Sequence, residues 1–164
     1  FEGLKAFRGK DGRIRLFRPE ENAKRLQRSA EYLGIEAPSV EMFVDMCKRV
    51  VLENIDFLPP YEESGASLYL RPTLIGTNPQ LGVQSSKEST FMILCSPVGA
   101  YVGGALDAVD VVIARNYDRA APNGSGSYKV GGNYACSLKS LNIAHEQGYK
   151  AVLYLDPATK THID

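Results

Sequence analysis

The sequence predicts a mixed fold of the α+β class that is divided into two parts. Short segments in which apolar and polar residues alternate indicate strands, as at residues 5–8 and 13–17. Elsewhere, apolar residues recur at the three- and four-residue spacing of amphipathic helices. A glycine-rich stretch at 99–106 separates one group of these elements from another. We therefore expect two domains, each containing both helices and strands.

The first part begins with a predicted hairpin and a helix. Asp11-Gly12 lies between the two alternating segments, and these residue types favour a tight turn. Pro19 is expected to open the helix, because proline is favoured in the first helical turn, and Gly34 is a suitable terminator. Arg25 falls on a different face of this helix from the apolar residues. Those expected to face inward are Ala23, Leu26, Ala30 and Leu33.

A second helix and two more strands complete this part. Ser39 can cap the helix, because its hydroxyl can accept a hydrogen bond from an N–H of the first turn. The apolar stripe of the helix is Phe43, Cys47, Val50 and Val51. Residues 68–75 and 91–95 are predicted to be strands of the same sheet as the hairpin.

The domain boundaries follow from these elements. We predict a small N-terminal domain at 1–98, an inter-domain linker at 99–108, and the start of a second domain at 109–164. Because the chain starts with Phe1 inside a predicted strand, we expect it to be part of a longer protein.

The second domain is expected to contain two strands with a helix between them. The strands are predicted at 109–114 and 151–155, and the helix from about Asn133 to Gln147, ended by Gly148. The residues expected inward on this helix are Ala135, Leu138, Leu141 and Ala144.

The composition excludes several kinds of partner. Nineteen basic and nineteen acidic residues cancel, so no overall field favours nucleic acid or an anionic membrane. No apolar run approaches the roughly 20 residues that span a bilayer, and no signal peptide is evident, so the expected compartment is cytoplasmic. Three widely separated cysteines and two histidines have no metal-ligand spacing, so no metal is expected.

Lys129 is the most informative candidate residue. It lies between glycine-rich stretches in the run from Gly124 to Gly132. Glycines let a ligand approach the main chain closely, and the lysine offers an amine that can form an imine with an aldehyde. The alternative from the residues alone is a solvated loop lysine, because segments of this composition are usually loops.

The segment around this lysine resembles a known family. Residues 128–135 (YKVGGNYA) look like the cofactor-lysine segment of the branched-chain amino acid aminotransferases, which are fold-type IV pyridoxal phosphate enzymes. Further segments look like the same family, in the family's order: 1–7 (FEGLKAF), 15–19 (RLFRP), 67–72 (SLYLRP) and 97–101 (PVGAY). The matches cover essentially the whole chain.

This resemblance implies a fold, a reaction and a cofactor. The expected fold has a complete or nearly complete small domain, followed by the first part of a large cofactor-binding domain. The implied reaction is the pyridoxal phosphate-dependent transfer of an amino group between leucine, isoleucine or valine and 2-oxoglutarate. The family also implies a homodimer.

The resemblance assigns the cofactor-binding residues. Lys129 corresponds to the catalytic lysine that holds pyridoxal phosphate, Arg25 to the arginine that binds its phosphate, and Tyr134 to the tyrosine that bonds its phenolic oxygen. Without the resemblance, the sequence predicts that Arg25 is one member of a basic helix face and that Tyr134 is a core aromatic residue at the start of a helix.

The resemblance also assigns a substrate pocket. Phe1, Tyr69, Val83 and Tyr101 fall where the family has its pocket walls. Arg71 lies two positions beyond Tyr69 on the same strand face, where it can hold the second carboxylate of glutamate or 2-oxoglutarate. The alternative for Arg71 is a salt bridge at a strand edge.

Other functions stay open on the sequence. Within the same fold, the alternatives are a D-amino acid aminotransferase or an aminodeoxychorismate lyase. Outside it, the chain could bind a phosphorylated ligand through the 124–132 loop without catalysis, although that loop lacks a P-loop ending. The family's ring-nitrogen glutamate and further phosphate donors would follow residue 164, so we expect weak or no activity from these 164 residues alone.

Overall fold

The computed structural model describes residues 1–63, 65–99 and 108–164, which form two compact units. The first unit spans Phe1–Ala105 and the second spans Leu106–Asp164. Most of the predicted linker, residues 100–107, lies outside the described residues, so the linker at 99–108 stays a prediction. No helix in the described part of the chain is long and apolar enough to cross a membrane.

The first unit contains an antiparallel four-stranded sheet. The predicted hairpin is formed by β1 (Leu4–Arg8) and β2 (Ile14–Leu16). The longer strands β3 (Ser67–Gly76) and β4 (Ser89–Val98) pair along their whole length, and β3 also pairs with β1. The order β2-β1-β3-β4 confirms the prediction that the hairpin and the two later strands share one sheet.

Two helices cover one face of this sheet. Helix α1 (Pro19–Leu33) has proline in its first turn and ends at Gly34, which adopts the left-handed conformation at φ 66°. Helix α2 (Val40–Glu53) is capped by Ser39, whose hydroxyl accepts a hydrogen bond from Met42 N at 3.1 Å. A short 3₁₀ helix (Ile55–Phe57) follows α2. Both predicted helix starts are confirmed.

The core of the first unit lies between the helices and the sheet. Phe43, Cys47, Leu68 and Leu70 are fully buried there, and each large apolar side chain contributes roughly 1.5–3 kcal/mol through burial. This burial raises the pKa of the Cys47 thiol to about 12. Leu33 was expected to face inward but is about half exposed, because the inward stripe of α1 ends one turn earlier.

The second unit contains a parallel strand pair and two short helices. Strand β5 (Val111–Ala114) pairs in parallel with β6 (Ala151–Tyr154), close to the predicted strands. Helices α3 (Gly131–Ala135) and α4 (Leu138–Glu146) lie between them in sequence, and α4 packs against both strands.

The predicted continuous helix from Asn133 to Gln147 is therefore wrong. The Ser137 hydroxyl donates to the Tyr134 carbonyl at 2.7 Å, a local side-chain bond that competes with continued helix at the break between α3 and α4. Because the break changes the helical phase, Leu138 and Ala135 are exposed. The residues of the two helices that are buried are Asn133, Ser140 and Ala144.

Candidate active site

Lys129 and Tyr134 form the centre of the candidate site in the second unit. Lys129 Nζ donates a hydrogen bond to Tyr134 Oη at 2.7 Å, and the ammonium lies 4.9 Å from the centroid of the tyrosine ring. The lysine is half-buried, whereas Tyr134 is 48% exposed. The lysine comes from the end of the glycine-rich loop and the tyrosine from α3. The structure thus brings together an amine and a phenol that the sequence places five residues apart.

The glycine-rich loop is closely packed where it precedes the lysine. A Cβ atom on Gly126 would lie 2.7 Å from Ala120 Cβ, so a larger residue there would displace the neighbouring chain. The guanidinium of Arg119 reaches the Gly126 carbonyl and pairs with Asp164. A cavity of about 240 Å³ opens beside this loop. It is lined by Arg119, Gly126, Tyr128, Asn133, Tyr134, Ser137 and Tyr154.

A carboxylate organises the turn that follows β6. Asp156 accepts hydrogen bonds from the backbone N–H groups of His162, Thr159 and Thr161, which hold the pKa of this carboxyl well below its usual range. A single antiparallel bridge between Leu155 and Ile163 closes the turn. Together with the 119–127 segment, this turn lines a second cavity of about 450 Å³.

The second cluster of predicted site residues lies on the sheet of the first unit. Leu68 and Leu70 point into the core, so the alternation of β3 places Tyr69 and Arg71 on the other face. The guanidinium carbon of Arg71 lies 4.8 Å from the centroid of the Phe1 ring and 5.3 Å from that of Tyr69, within cation–π distance of both. The structure therefore brings together the three predicted substrate-pocket residues Phe1, Tyr69 and Arg71. The strand-edge salt bridge considered for Arg71 is not among the ion pairs of the described residues.

Arg25 is held by a buried carboxylate. Its Nε and Nη2 atoms donate to the two carboxylate oxygens of Glu2 at 2.6 and 2.7 Å. Glu2 is 0% exposed, and it also accepts from Asn22 Nδ2 at 2.8 Å and from Gly3 N at 3.3 Å. The arginine side chain itself is 46% exposed. Arg25 is thus an oriented guanidinium at the surface of the first unit.

One further predicted pocket residue is not brought to this cluster. Val83 is fully exposed in the loop between β3 and β4. Tyr101 lies outside the described residues. Their places in the pocket stay predictions. Among the described residues, no group of three or more His, Cys, Asp or Glu side chains is arranged to hold a metal ion.

Comparison with known proteins identifies the family of this chain. The family profile of the class IV amino-transferases matches residues 1–161. The chain belongs to the class IV aminotransferases. This class IV chain is similar to the branched-chain-amino-acid aminotransferase of Helicobacter pylori (strain J99), with 51% identity over 165 residues. That match covers 100% of this chain and 48% of the relative, so the chain spans about half the length of such curated relatives.

Solved structures of branched-chain amino acid aminotransferases confirm the predicted fold class. The T.th. branched-chain amino acid aminotransferase with pyridoxamine 5'-phosphate has a TM-score of 0.78 at 29% identity, covering 95% of this chain and 50% of that chain. A complex of the T.th. enzyme with N-(5'-phosphopyridoxyl)-L-glutamate has a TM-score of 0.76 at 26% identity, covering 95% of this chain and 48% of that chain.

Sequence reasoning missed three residues that contact or adjoin the predicted site residues of this class IV chain. Glu2 has no sequence signal, because a carboxylate 23 positions before an arginine gives no local pattern. Gly3 has none for a similar reason: a Cβ there would collide with the Tyr69 hydroxyl, a contact between the residue before β1 and a residue of β3. Asn133 has a weak sequence signal, because an asparagine beside two glycines can bond loop carbonyls, but only the structure shows that it is buried and which carbonyls it bonds.

Proposed function

We propose that this chain is the lysine-bearing part of a branched-chain amino acid aminotransferase. The enzyme moves an amino group between leucine, isoleucine or valine and 2-oxoglutarate, using pyridoxal phosphate. The observation that carries the proposal is the 2.7 Å hydrogen bond from Lys129 Nζ to Tyr134 Oη beside the glycine-rich loop. Membership of the class IV family and similarity to branched-chain enzymes along the whole chain support the same reaction.

The chemistry of the available side chains suits this cofactor. When bound, pyridoxal phosphate supplies an aldehyde that captures amines and a ring that accepts the electron pair released at the substrate's alpha carbon. The chain offers an amine at Lys129 to hold an aldehyde, a phenol at Tyr134 for the cofactor's phenolic oxygen, and a guanidinium at Arg25 for a phosphate. Each group is of the type that its proposed partner requires.

Lys129 has two tasks in this proposal. Its amine holds the cofactor covalently in the resting enzyme, and after release by the incoming amino acid its Nζ exchanges a proton with the substrate's alpha carbon. Both tasks require Nζ to stay close to the reacting carbon atoms. The hydrogen bond to Tyr134 supports this, because it holds the flexible end of the lysine against a residue of α3.

The cluster on β3 accounts for two kinds of substrate. Phe1 and Tyr69 offer ring surface to a branched aliphatic side chain, whose burial contributes about 1.5–3 kcal/mol. Arg71 offers a cation to the second carboxylate of glutamate or 2-oxoglutarate. The T.th. enzyme in complex with a phosphopyridoxyl-glutamate supports an acidic substrate in this family. Val83 and Tyr101 enter as further pocket walls on the resemblance alone.

The first experiment tests Lys129. The full-length product of the gene is mixed with pyridoxal phosphate, reduced with borohydride and digested, and the modified peptide is identified by mass spectrometry. We expect a yellow protein, an adduct on Lys129, and transfer of the amino group of leucine to 2-oxoglutarate. Lys129→Arg should abolish all three, whereas Lys139→Arg, a change of an exposed lysine on α4, should not. An adduct confined to another lysine would refute the assignment.

A second experiment tests Arg71. Arg71→Gln should raise the KM for 2-oxoglutarate by about 10-fold or more, because a charge-assisted hydrogen bond contributes about 1.5–3 kcal/mol. The KM for leucine should change by much less, since that side chain has no charge to pair. Arg13→Gln, in the exposed turn between β1 and β2, is the matched control. Equal effects on the two substrates would contradict the proposed role.

The remaining expectations belong to the same proposal. They are the domain division at 1–98, 99–108 and 109–164, the homodimer implied by the resemblance, and the weak activity expected of these 164 residues by themselves. Analytical ultracentrifugation of the full-length product tests the dimer. Assaying the 164-residue chain beside the full-length product tests the last expectation.

A further inference from the structure

Asn133 links the two glycine-rich stretches that flank Lys129. Its Nδ2 donates to the Ser125 carbonyl and to the Tyr128 carbonyl, each at 2.7 Å. Its Oδ1 accepts a hydrogen bond from the Ser125 hydroxyl, also at 2.7 Å. The side chain is 8% exposed, so water competes little for these bonds. One amide side chain therefore ties the loop to the first turn of α3.

The bonded atoms are close to the reactive pair in covalent structure. The Tyr128 carbonyl belongs to the peptide that joins Tyr128 to Lys129, so the bond from Nδ2 fixes the orientation of that peptide. Tyr134 directly follows Asn133 on α3. The side chain of the residue before Tyr134 thus anchors the peptide before Lys129.

A glycine-rich loop needs such an anchor. Glycine populates more backbone conformations than other residues and loses more entropy when it is ordered. A lysine carried by this loop keeps a defined position only if the loop is fixed by other bonds. The amide suits the task because it donates twice and accepts once at the same place, which a carboxylate cannot do.

We propose that Asn133 is a positioning residue that holds the Lys129 peptide so that Nζ stays within hydrogen-bond distance of Tyr134 Oη. This inference rests on the proposed function, because it assigns Asn133 a role in presenting the cofactor-binding amine. Asn133 acts through the backbone and does not touch the reacting atoms.

Asn133→Asp is the most informative variant, because it keeps the size of the side chain and removes both donors. In the full-length product, it should slow the borohydride-trapped incorporation of pyridoxal phosphate at Lys129 by about 10-fold or more, since small displacements of a reacting group have effects of this size. Incorporation at exposed Lys139 in the same sample should not change. Asn142→Asp, an exposed position on α4, and Ser125→Ala, which spares both Nδ2 bonds, should leave Lys129 near the wild-type rate.

Coupling to the tyrosine distinguishes positioning from a general structural role. If Asn133 acts by keeping Lys129 against Tyr134, its replacement should matter less once the phenol is gone. In a Tyr134→Phe background, we expect Asn133→Asp to slow incorporation at Lys129 by only about 3-fold or less. An equal loss in both backgrounds would overturn the proposal.

A measurement on the unmodified protein covers the case in which the variants do not fold. The Asn133 side-chain amide protons should exchange with solvent much more slowly than those of exposed Asn142, as seen by NMR. Equal exchange rates would overturn the inference whatever the variants do. If the wild-type protein shows no adduct at Lys129, the proposed function fails. If the wild-type protein forms the adduct and Asn133→Asp forms it at the same rate, only this inference fails.

Discussion

Replacing Arg25 with methionine should destabilise the first unit more than replacing Glu2 with glutamine, although both changes break the same ion pair. The reason is unequal burial, since Glu2 is fully buried and the Arg25 side chain is 46% exposed. In Arg25→Met, the carboxylate stays buried with Asn22 Nδ2 and Gly3 N as partners. In Glu2→Gln, the surviving guanidinium can turn toward water.

The magnitudes follow from these environments. Removing one partner of a buried ion pair lowers the free energy of unfolding by about 3–5 kcal/mol. Because Glu2 keeps two other hydrogen bonds, we expect Arg25→Met to lie near the lower end of this range, at about 3 kcal/mol. Glu2→Gln keeps the shape of the side chain and weakens charge-assisted bonds, for which we expect about 1.5 kcal/mol. The double variant leaves no unpaired charge. Its stability should therefore fall by about 2 kcal/mol, which is less than the sum of the losses in the two single variants.

Native-state hydrogen exchange of the amides in β1 and α1 is the suitable assay, because a chain with two units need not unfold in one transition. Lys24→Met is the control. Lys24 is the neighbour of Arg25 on α1, it is exposed, and it pairs with Glu21 at 2.8 Å, so its loss should cost no more than about 0.5 kcal/mol. The reasoning is refuted if Arg25→Met behaves like this control, or if the double variant is as unstable as the sum of the single ones.

Three further outcomes are expected. The folded-state pKa of Asp156 lies below its ordinary value of 3.8. The ionised carboxylate therefore stabilises the turn fully at pH values well above 3.8, and this stabilisation is lost as the pH falls below that value and the group is protonated. The amide NMR shifts of residues 159–162 should therefore move together in this acid range, and constant shifts would contradict this. Ellman's reagent at pH 8 should modify exposed Cys136 and spare Cys47, whose pKa burial raises to about 12, until denaturant is added; equal labelling rates would show that Cys47 is accessible. Gly3→Ala should raise the KM for leucine by displacing the Tyr69 side chain. In that background, Tyr69→Phe should lower the KM part of the way back, since it removes the colliding oxygen but keeps the ring carbon that lies 3.1 Å from the new Cβ; an unchanged KM would refute the steric explanation.

Elements with strong local signals were predicted correctly. The hairpin around Asp11-Gly12 and the helix starts at Pro19 and Ser39 depend on turn and capping preferences that act over a few residues. The helix predicted from Asn133 to Gln147 failed because apolar spacing alone does not reveal the break. The hydrogen bond from the Ser137 hydroxyl to the Tyr134 carbonyl lies at this break. The spacing of apolar residues along the sequence does not reveal such a bond.

The contacts of the candidate site also differ in how far they could be predicted from the sequence. Lys129 and Tyr134 could be singled out because they lie five residues apart in one motif, and their contact at 2.7 Å needs only the local turn into α3. The clustering of Phe1 with Arg71 was harder to predict, because it depends on the pairing of β1 with β3 and on the bond from Glu2 N to the Pro72 carbonyl at 2.7 Å.

By itself, the sequence determined the family and the mixed fold and singled out the segment around Lys129 as the candidate site, because these depend on motifs and patterns that are contiguous along the chain. Only the tertiary structure decided that Glu2 is buried against Arg25, that Arg71 lies within cation–π distance of two aromatic rings, and that Asn133 ties the lysine loop together. The first two contacts join residues far apart in sequence, and the third depends on which way one amide points. Side-chain partners of this kind are set by the packing of whole elements, which residue types and spacing do not specify.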